Sequence, residues 1–268
     1  MTYNMTMKLN IIVLAKQVPD TRNVGRDGMN ADGTINRSAL PVIFNPDDLK
    51  ALEQALRLKD QHPGSTIQVL TMGPSRATDI VRESLYRGAD GGYLLTDSAF
   101  AGADTLATSY ALATAIAKLG GYDIIFAGRQ AIDGETAQVG PQVAERLGIP
   151  QVTYAEEILG VADDRITIKR HVDGGIEIIE APLPLVITVD SSATPCRPRN
   201  AKLLMTYKRA PIPQWDLADI GGDATKCGLA GSPTRVKEIQ CIALTVKESL
   251  VMGSSDEEIE SLMSKLFG

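Results

Sequence analysis

Residues 123–141 read DIIFAGRQAIDGETAQVGP, and this stretch decides the fold. Asp123–Ala127 is a short, mostly apolar run composed like a parallel strand buried on both faces. Gly128 closes it and small and acidic residues follow. Pro141 lacks an N–H and fits the first turn of a helix continuing to Leu147. Strand, glycine-bearing loop and helix start, in that order, are how α/β proteins place ligands at the carboxyl ends of their strands. The N–H groups of Thr136, Ala137, Gln138 and Val139 then fall at or just before the helix start, free to hold a diphosphate. Thr136 adds a hydroxyl. Asp133 and Glu135 are acidic, which suits ribose hydroxyls, a helix cap or a partner better than an anion. Taken alone, the loop fits either a nucleotide site or a plain strand-to-helix connection.

The same grammar repeats towards the N-terminus. Residues 10–15 (NIIVLA), 67–72 (IQVLTM) and 93–96 (YLLT) read as strands. Asn45-Pro46-Asp47-Asp48 opens a helix, with Asn45 as N-cap, Pro46 at the first position and two aspartates at the positive end of the dipole. Leu49, Leu52 and Leu56 give that helix a buried stripe. A second helix over 76–87 stops at Gly88, and an alanine-rich one covers 104–119. The polar stretch 22–40 reads as an excursion with a small hairpin. Alternating strands and helices over 8–148 predict an α/β, doubly wound parallel sheet.

The character changes after Pro150. Residues 165–189 alternate around Asp173-Gly174-Gly175 as a β-hairpin, and Leu185–Val189 adds another strand. From Ser191 to Met252 prolines recur and helical periodicity is weak, as in an extended arm lying on another protein. Residues 254–267 form a capped amphipathic helix with Ile259, Leu262, Met263 and Leu266 on one face. It serves equally as an anchor for a partner or as a helix closing on its own core. The expected organisation is a disordered tail (1–6), a nucleotide-binding α/β domain (7–190), and a partner-binding loop, arm and C-terminal helix (191–268).

Bulk properties exclude several classes. A net charge of −6 leaves no basic surplus for nucleic acid. No apolar stretch approaches the roughly 18–20 residues of a membrane span. The N-terminus lacks the apolar core of a signal peptide, and Met7 is a plausible start. Cys196, Cys227 and Cys241 are widely spaced with no C-x-x-C pair, so zinc or iron–sulfur ligation is not expected and a cytoplasmic location with reduced thiols is. With only His62 and His171, a histidine-centred catalytic site is hard to assemble. A chain that lends its backbone to a cofactor needs none.

A second glycine-bearing element, residues 97–105 (DSAFAGADT), also leads from a strand end into a helix. Within it Gly102, Ala103, Asp104 and Thr105 are candidate cofactor contacts, Asp104 or Thr105 serving alternatively as N-cap. Leu14, Lys16, Asn45, Met72 and Gly73 lie at the matching ends of the other strands. Each has a dull role of its own, and it is their convergence on one crevice that points to a ligand.

Several stretches carry a resemblance. Residues 168–188, IKRHVDGGIEIIEAPLPLVIT, combine a basic residue, an acidic-Gly-Gly turn, a glutamate and Pro-x-apolar-apolar-Thr. With VLAKQVPDT (13–21), FNPDDLKALEQALRLK (44–59), TMGP (71–74) and AGSPTRV (230–236), the chain resembles the β subunit of an electron-transfer flavoprotein from about Met7 to its C-terminus. The resemblance implies a Rossmann-like fold and an α/β heterodimer in which the α subunit carries a flavin and the β-subunit arm wraps it. Ordinary members bind AMP with a loop resembling GKQAIDDDxNQTGQ. Here Arg129 replaces the lysine, Gly134 and Glu135 two aspartates, Ala137 the asparagine and Val139 the threonine. This wording, with AFAGADTLATS (99–109), instead resembles the electron-bifurcating branch, whose β subunit holds FAD and receives NADH.

On that resemblance FAD is the cofactor and NAD(H) the substrate, and the cofactor-binding set gains Ala131 and Ile132. One electron passes to ferredoxin or flavodoxin and the other, through the α-subunit FAD, to a flavin dehydrogenase acting on acyl-CoA or a similar substrate. Arg129 either tunes the flavin's charged state or forms a structural salt bridge. Residues 191–208 correspond to the dehydrogenase-contacting loop, with Leu203 or Leu204 as the inserted side chain. Two other readings stay open: a conventional β subunit with structural AMP, and a nucleotide-binding regulatory module without redox role.

Overall fold

The computed structural model describes residues 7–20, 41–234 and 252–267. The tail 1–6, the excursion 22–40 and Cys241 lie outside the described residues. The N-terminal part runs β1 (Asn10–Leu14), β2 (Gln17–Pro19), β3 (Val42–Phe44), α1 (Pro46–Gln61), β4 (Thr66–Met72), α2 (Thr78–Leu85) and β5 (Gly91–Leu95). Then come α3 (Thr105–Leu119), β6 (Ile124–Gly128) and α4 (Val139–Leu147). The second half holds β7 (Gln151–Ala162), β8 (Arg165–Val172), β9 (Gly175–Pro182) and β10 (Leu185–Val189). It closes with α5 (Ala201–Tyr207), β11 (Gln214–Trp215) and α6 (Asp256–Phe267).

The main sheet has the order β11-β5-β4-β1-β6-β10-β7-β8-β9. It is parallel from β11 to β7, and β8 and β9 extend it as antiparallel ribbons. Alternate side chains of each central strand face opposite helical layers. Ile11, Val13, Ile67, Val69, Ile124, Phe126 and Ile187 join α1 and α2 in one core cluster. Ile12, Leu14, Leu70, Ile125, Ala127 and Val186 join α3 and α4 in the other. The doubly wound sheet expected from the β/α alternation is the fold observed. Among the described residues no helix is long and apolar enough to cross a membrane.

Several elements were not visible in the pattern, β7 and those after Asp190 among them. β7 spans twelve residues with register shifts near Ala155/Glu157 and Ile158/Gly160. These bulges break the two-residue alternation by which a strand is read. The segment after Asp190 is also more ordered than its weak periodicity implies. Arg197 straps it to α1, donating from Nε and Nη2 to the buried Glu53 at 3.0 Å each and from Nη1 to Asp60 at 2.9 Å. Asn200 N–H donates to Tyr86 O at 2.8 Å beside α2. The chain then adds β11 to the outer edge of β5, where Trp215 stacks on Tyr93 at 4.1 Å. The arm therefore starts by covering an edge of its own sheet. In α6, Ile259, Leu262, Met263 and Leu266 are all exposed, so that apolar face closes on no core among the described residues.

Candidate functional site

The sheet reverses its winding between β1 and β6. From β1 the chain builds outward through β4 and β5, whereas from β6 it builds the other way through β10 and β7. The β1–β6 pairing stops at Val13↔Phe126, while β1 continues along β4 to Leu14↔Leu70 and β6 along β10 to Gly128↔Val189. The two strand ends separate, and the crevice at such a switch point is where open α/β sheets bind ligands.

A cavity of about 630 Å³ fills this crevice, inside the roughly 300–1,000 Å³ typical of small-molecule and cofactor sites. Leu14 from β1, Lys16 just after it, Met72 from β4, and Gly102, Ala103, Asp104 and Thr105 at the start of α3 line it. From the loop after β6 it is lined by Arg129, Ala131, Gly134, Thr136, Ala137, Gln138 and Val139. The remaining four residues expected at the site do not line it. Gly73 N–H donates to Leu95 O at 3.0 Å and so prolongs the β4–β5 pairing by one bond. Ile132 N–H donates to Asn45 Oδ1 at 3.2 Å. Asp133 closes an ion pair with Lys16, 2.7 Å from Nζ to Oδ1. Asn45 is fully buried and is no cap: its side chain makes no capping bond to α1, and Nδ2 donates to Gln130 O at 2.8 Å instead. One amide thus ties down both sides of Ala131.

The pairing of Lys16 with Asp133 removes one acidic group from competition with a bound anion. Arg129 stands between Asp190, 3.4 Å from Nη1, and Asp47, 3.8 Å from Nε. Its Nε is buried and has no hydrogen-bond partner among the described residues. The salt-bridge role expected for Arg129 is therefore present, and donor capacity remains. Burial works against ionisation of Asp190, but hydrogen bonds from Ser192 and the nearby Arg129 outweigh it and hold its carboxyl below the usual range.

The loop ahead of α4 carries the sharpest backbone signal. Glu135 and Ala137 have φ of 50° and 54°, in a region that non-glycine residues enter at a cost of about 1–2 kcal/mol each. Gln138 returns to the right-handed region at φ −100°, ψ −30°. Such alternation of hand turns successive N–H groups towards one concavity, the geometry of an anion nest. The N–H groups of Thr136, Ala137, Gln138 and Val139 find no acceptor among the described residues. Strain held in a cavity wall beside unspent donors is characteristic of a ligand clamp.

The opposite wall is tied together. Asp104 caps α3, accepting from Ala107 N–H at 3.0 Å, and Thr105 Oγ1 donates to Gln138 Oε1 at 2.7 Å across the crevice. Burial disfavours the Asp104 anion, yet its bonds from Ala107 and Thr234 prevail and hold its carboxyl below the usual range. Sequence reasoning missed the apolar floor of Leu70, Phe100 and Leu112, the buried Asp48, and Thr234 from the arm. The floor is assembled from β4, α3 and the turn before it, so no local pattern announces it. Thr234 belongs to the AGSPTRV stretch, and Ser232 of the same stretch accepts from Asp104 N–H at 2.8 Å. That stretch carried the signal. Among the described residues no cluster of His, Cys, Asp and Glu could hold a metal ion.

A model of the electron transfer flavoprotein domain matches residues 32–220. The caffeyl-CoA reductase-Etf complex subunit CarD of Acetobacterium woodii is 44% identical over 259 residues, covering 96% of this chain and 98% of that protein. The electron transfer flavoprotein subunit beta of Clostridium acetobutylicum is 46% identical over 230 residues, 86% of this chain and 87% of its own length. Protein FixA of Azorhizobium caulinodans is 43% identical over 267 residues, 97% and 94% of the two chains. The chain therefore belongs to the electron transfer flavoprotein family, among its β subunits.

Proposed function

We propose that this chain is the β subunit of a heterodimeric electron transfer flavoprotein of the cytoplasm, holding FAD in the crevice and receiving hydride there from NADH. The observation that carries the proposal is the reach of the cavity. It extends from the free N–H groups ahead of α4, over an apolar floor, to the loop ahead of α3. A mononucleotide such as AMP needs only the first of these anchors, whereas a dinucleotide bearing a large apolar ring system uses all three. Bound there, FAD would supply two-electron exchange with NADH and one-electron release, one electron going to ferredoxin or flavodoxin and the other through the α-subunit FAD to a flavin dehydrogenase.

The chain's own residues bind and orient; no side chain serves as nucleophile or general base. The N–H groups of residues 136–139 would hold the diphosphate. The mouth at Gly134 is open: a Cβ placed there meets nothing within 4 Å. Leu70, Met72, Phe100 and Leu112 keep water from the floor, and Arg129 and Lys16 are the charged donors in the wall.

The name of the Acetobacterium relative attaches that protein to a caffeyl-CoA reductase. A flavin dehydrogenase of related type is the partner we assign to α5. On that helix Leu203 and Leu204 are half-buried, and Met205, 78% exposed, is the apolar side chain offered outward.

Anaerobic titration of the purified heterodimer with NADH tests the redox half of the proposal. Stepwise bleaching that accounts for two flavins per heterodimer is expected. Flavin absorbance unchanged by excess NADH counts against it.

A further inference from the structure

We propose that Asp48 is the positioning residue of the crevice: its carboxylate clasps the separated ends of β1 and β6, and the crevice holds its adenine nucleotide tightly only while that clasp is closed. The proposal deepens the preceding one, since it rests on the crevice holding such a nucleotide, FAD or AMP alike. Asp48 sits in the first turn of α1, buried with 7% of its surface exposed. Oδ2 accepts from Lys16 N–H at 2.8 Å and Oδ1 from Gly128 N–H at 3.0 Å. These are the two strand ends that no longer pair with one another beyond Val13 and Phe126. Lys16 and Gly128 both line the cavity, so the clasp sets the width of the crevice at its base. The fit is close, because a Cβ on Gly128 would lie 2.4 Å from Asp48 Oδ1.

The ionised carboxylate accepts from both N–H groups at full strength. Protonation makes one oxygen a hydroxyl, a much weaker acceptor, and loosens half the clasp. Burial pushes the Asp48 carboxyl up from 3.8 to about 7, against hydrogen bonds from Lys16, Asn45 and Gly128 that favour the anion, with Asp47 adding to the rise. The groups around it are otherwise engaged. Lys16 is held by Asp133, and Arg129 by Asp47 and Asp190. Asp47 itself is raised by burial against the pull of Arg129 and Lys50. Nucleotide affinity should therefore increase as pH rises through neutrality.

Stability of the nucleotide-free protein runs the other way. The folded-state value of Asp48 lies above its unfolded value, so its contribution is full below about pH 4 and is lost as pH rises through about 7. A purely structural aspartate would move both quantities together. Opposite slopes identify a residue whose charged form is kept for the ligand at the expense of the fold.

The test is calorimetric titration of AMP and of FAD into heterodimer freed of nucleotide, at pH 6, 7 and 8, with a thermal melt at each pH. Wild type should bind its nucleotide about tenfold more tightly at pH 8 than at pH 6, while its melting temperature falls. Asp48→Asn should stay near the weak value at every pH and lose the decline in melting temperature. Asp47→Asn should keep both trends. A flat wild-type profile overturns the proposal whether or not the Asp48→Asn protein folds, and so does a pH step that survives in Asp48→Asn. If wild type shows the step with AMP alone, the FAD assignment fails and the Asp48 proposal stands. If neither nucleotide binds at any pH, both fall.

Discussion

Converting the crevice loop to the AMP-type wording, with Arg129→Lys, Gly134→Asp, Glu135→Asp, Ala137→Asn and Val139→Thr together, should lower FAD occupancy of this subunit more than tenfold and leave AMP in its place. The physical reasons are local. An aspartate at 134 has room to be built but projects a carboxylate at the mouth that Gly134 now leaves clear. Asparagine and threonine at 137 and 139 replace small or apolar wall with polar groups. Loss of folding would not explain the result. Ala137 has φ 54°, a conformation asparagine adopts more readily than alanine. That exchange should stabilise the fold by about 1 kcal/mol. The check is nucleotide content after acid extraction, beside a melting curve. FAD retained at wild-type level in a folded variant would contradict the role given to residues 134–139.

Gly128→Ala should destabilise the chain by about 3 kcal/mol, the upper end of ordinary overpacking. A Cβ there would lie 2.4 Å from Asp48 Oδ1 and 2.7 Å from both Asp47 C and Asp48 N. Two of those contacts are main chain at the start of α1, which cannot swing aside as a side chain would. Relief requires β6 and α1 to move apart, which breaks the Gly128–Asp48 bond as well. The melting temperature should drop by roughly 6–12 °C for a chain of this size, and nucleotide should be released. A drop of under 2 °C would mean that the strand end and α1 are less tightly apposed than the structure has them.

The parts of the molecule that the sequence announced are those specified locally. β1, β4, β5 and β6 are short apolar runs between turn residues, and α3 is bounded by Asp104 and Gly120. The crevice followed because the strand ends of a doubly wound sheet must converge. What could not be read depends on distant partners. Asn45 has every local mark of an N-cap, yet its amide is claimed by Gln130 and Ile132, some 85 and 87 residues away. Asp48 looks like a dipole-favoured helix-start aspartate, and its function is fixed by strand ends that only the sheet order brings to it. α5 and β11 are too short to show a period, and tertiary contacts to α2 and β5 create them.

The central claim is that the crevice between β1 and β6 seats a flavin dinucleotide. The most direct measurement is the content of FAD and AMP per heterodimer after co-expression of this chain with its α subunit and purification without added nucleotide. Two FAD and no AMP per heterodimer is the expected result. One FAD with one AMP would contradict it and return the chain to the conventional members of the family.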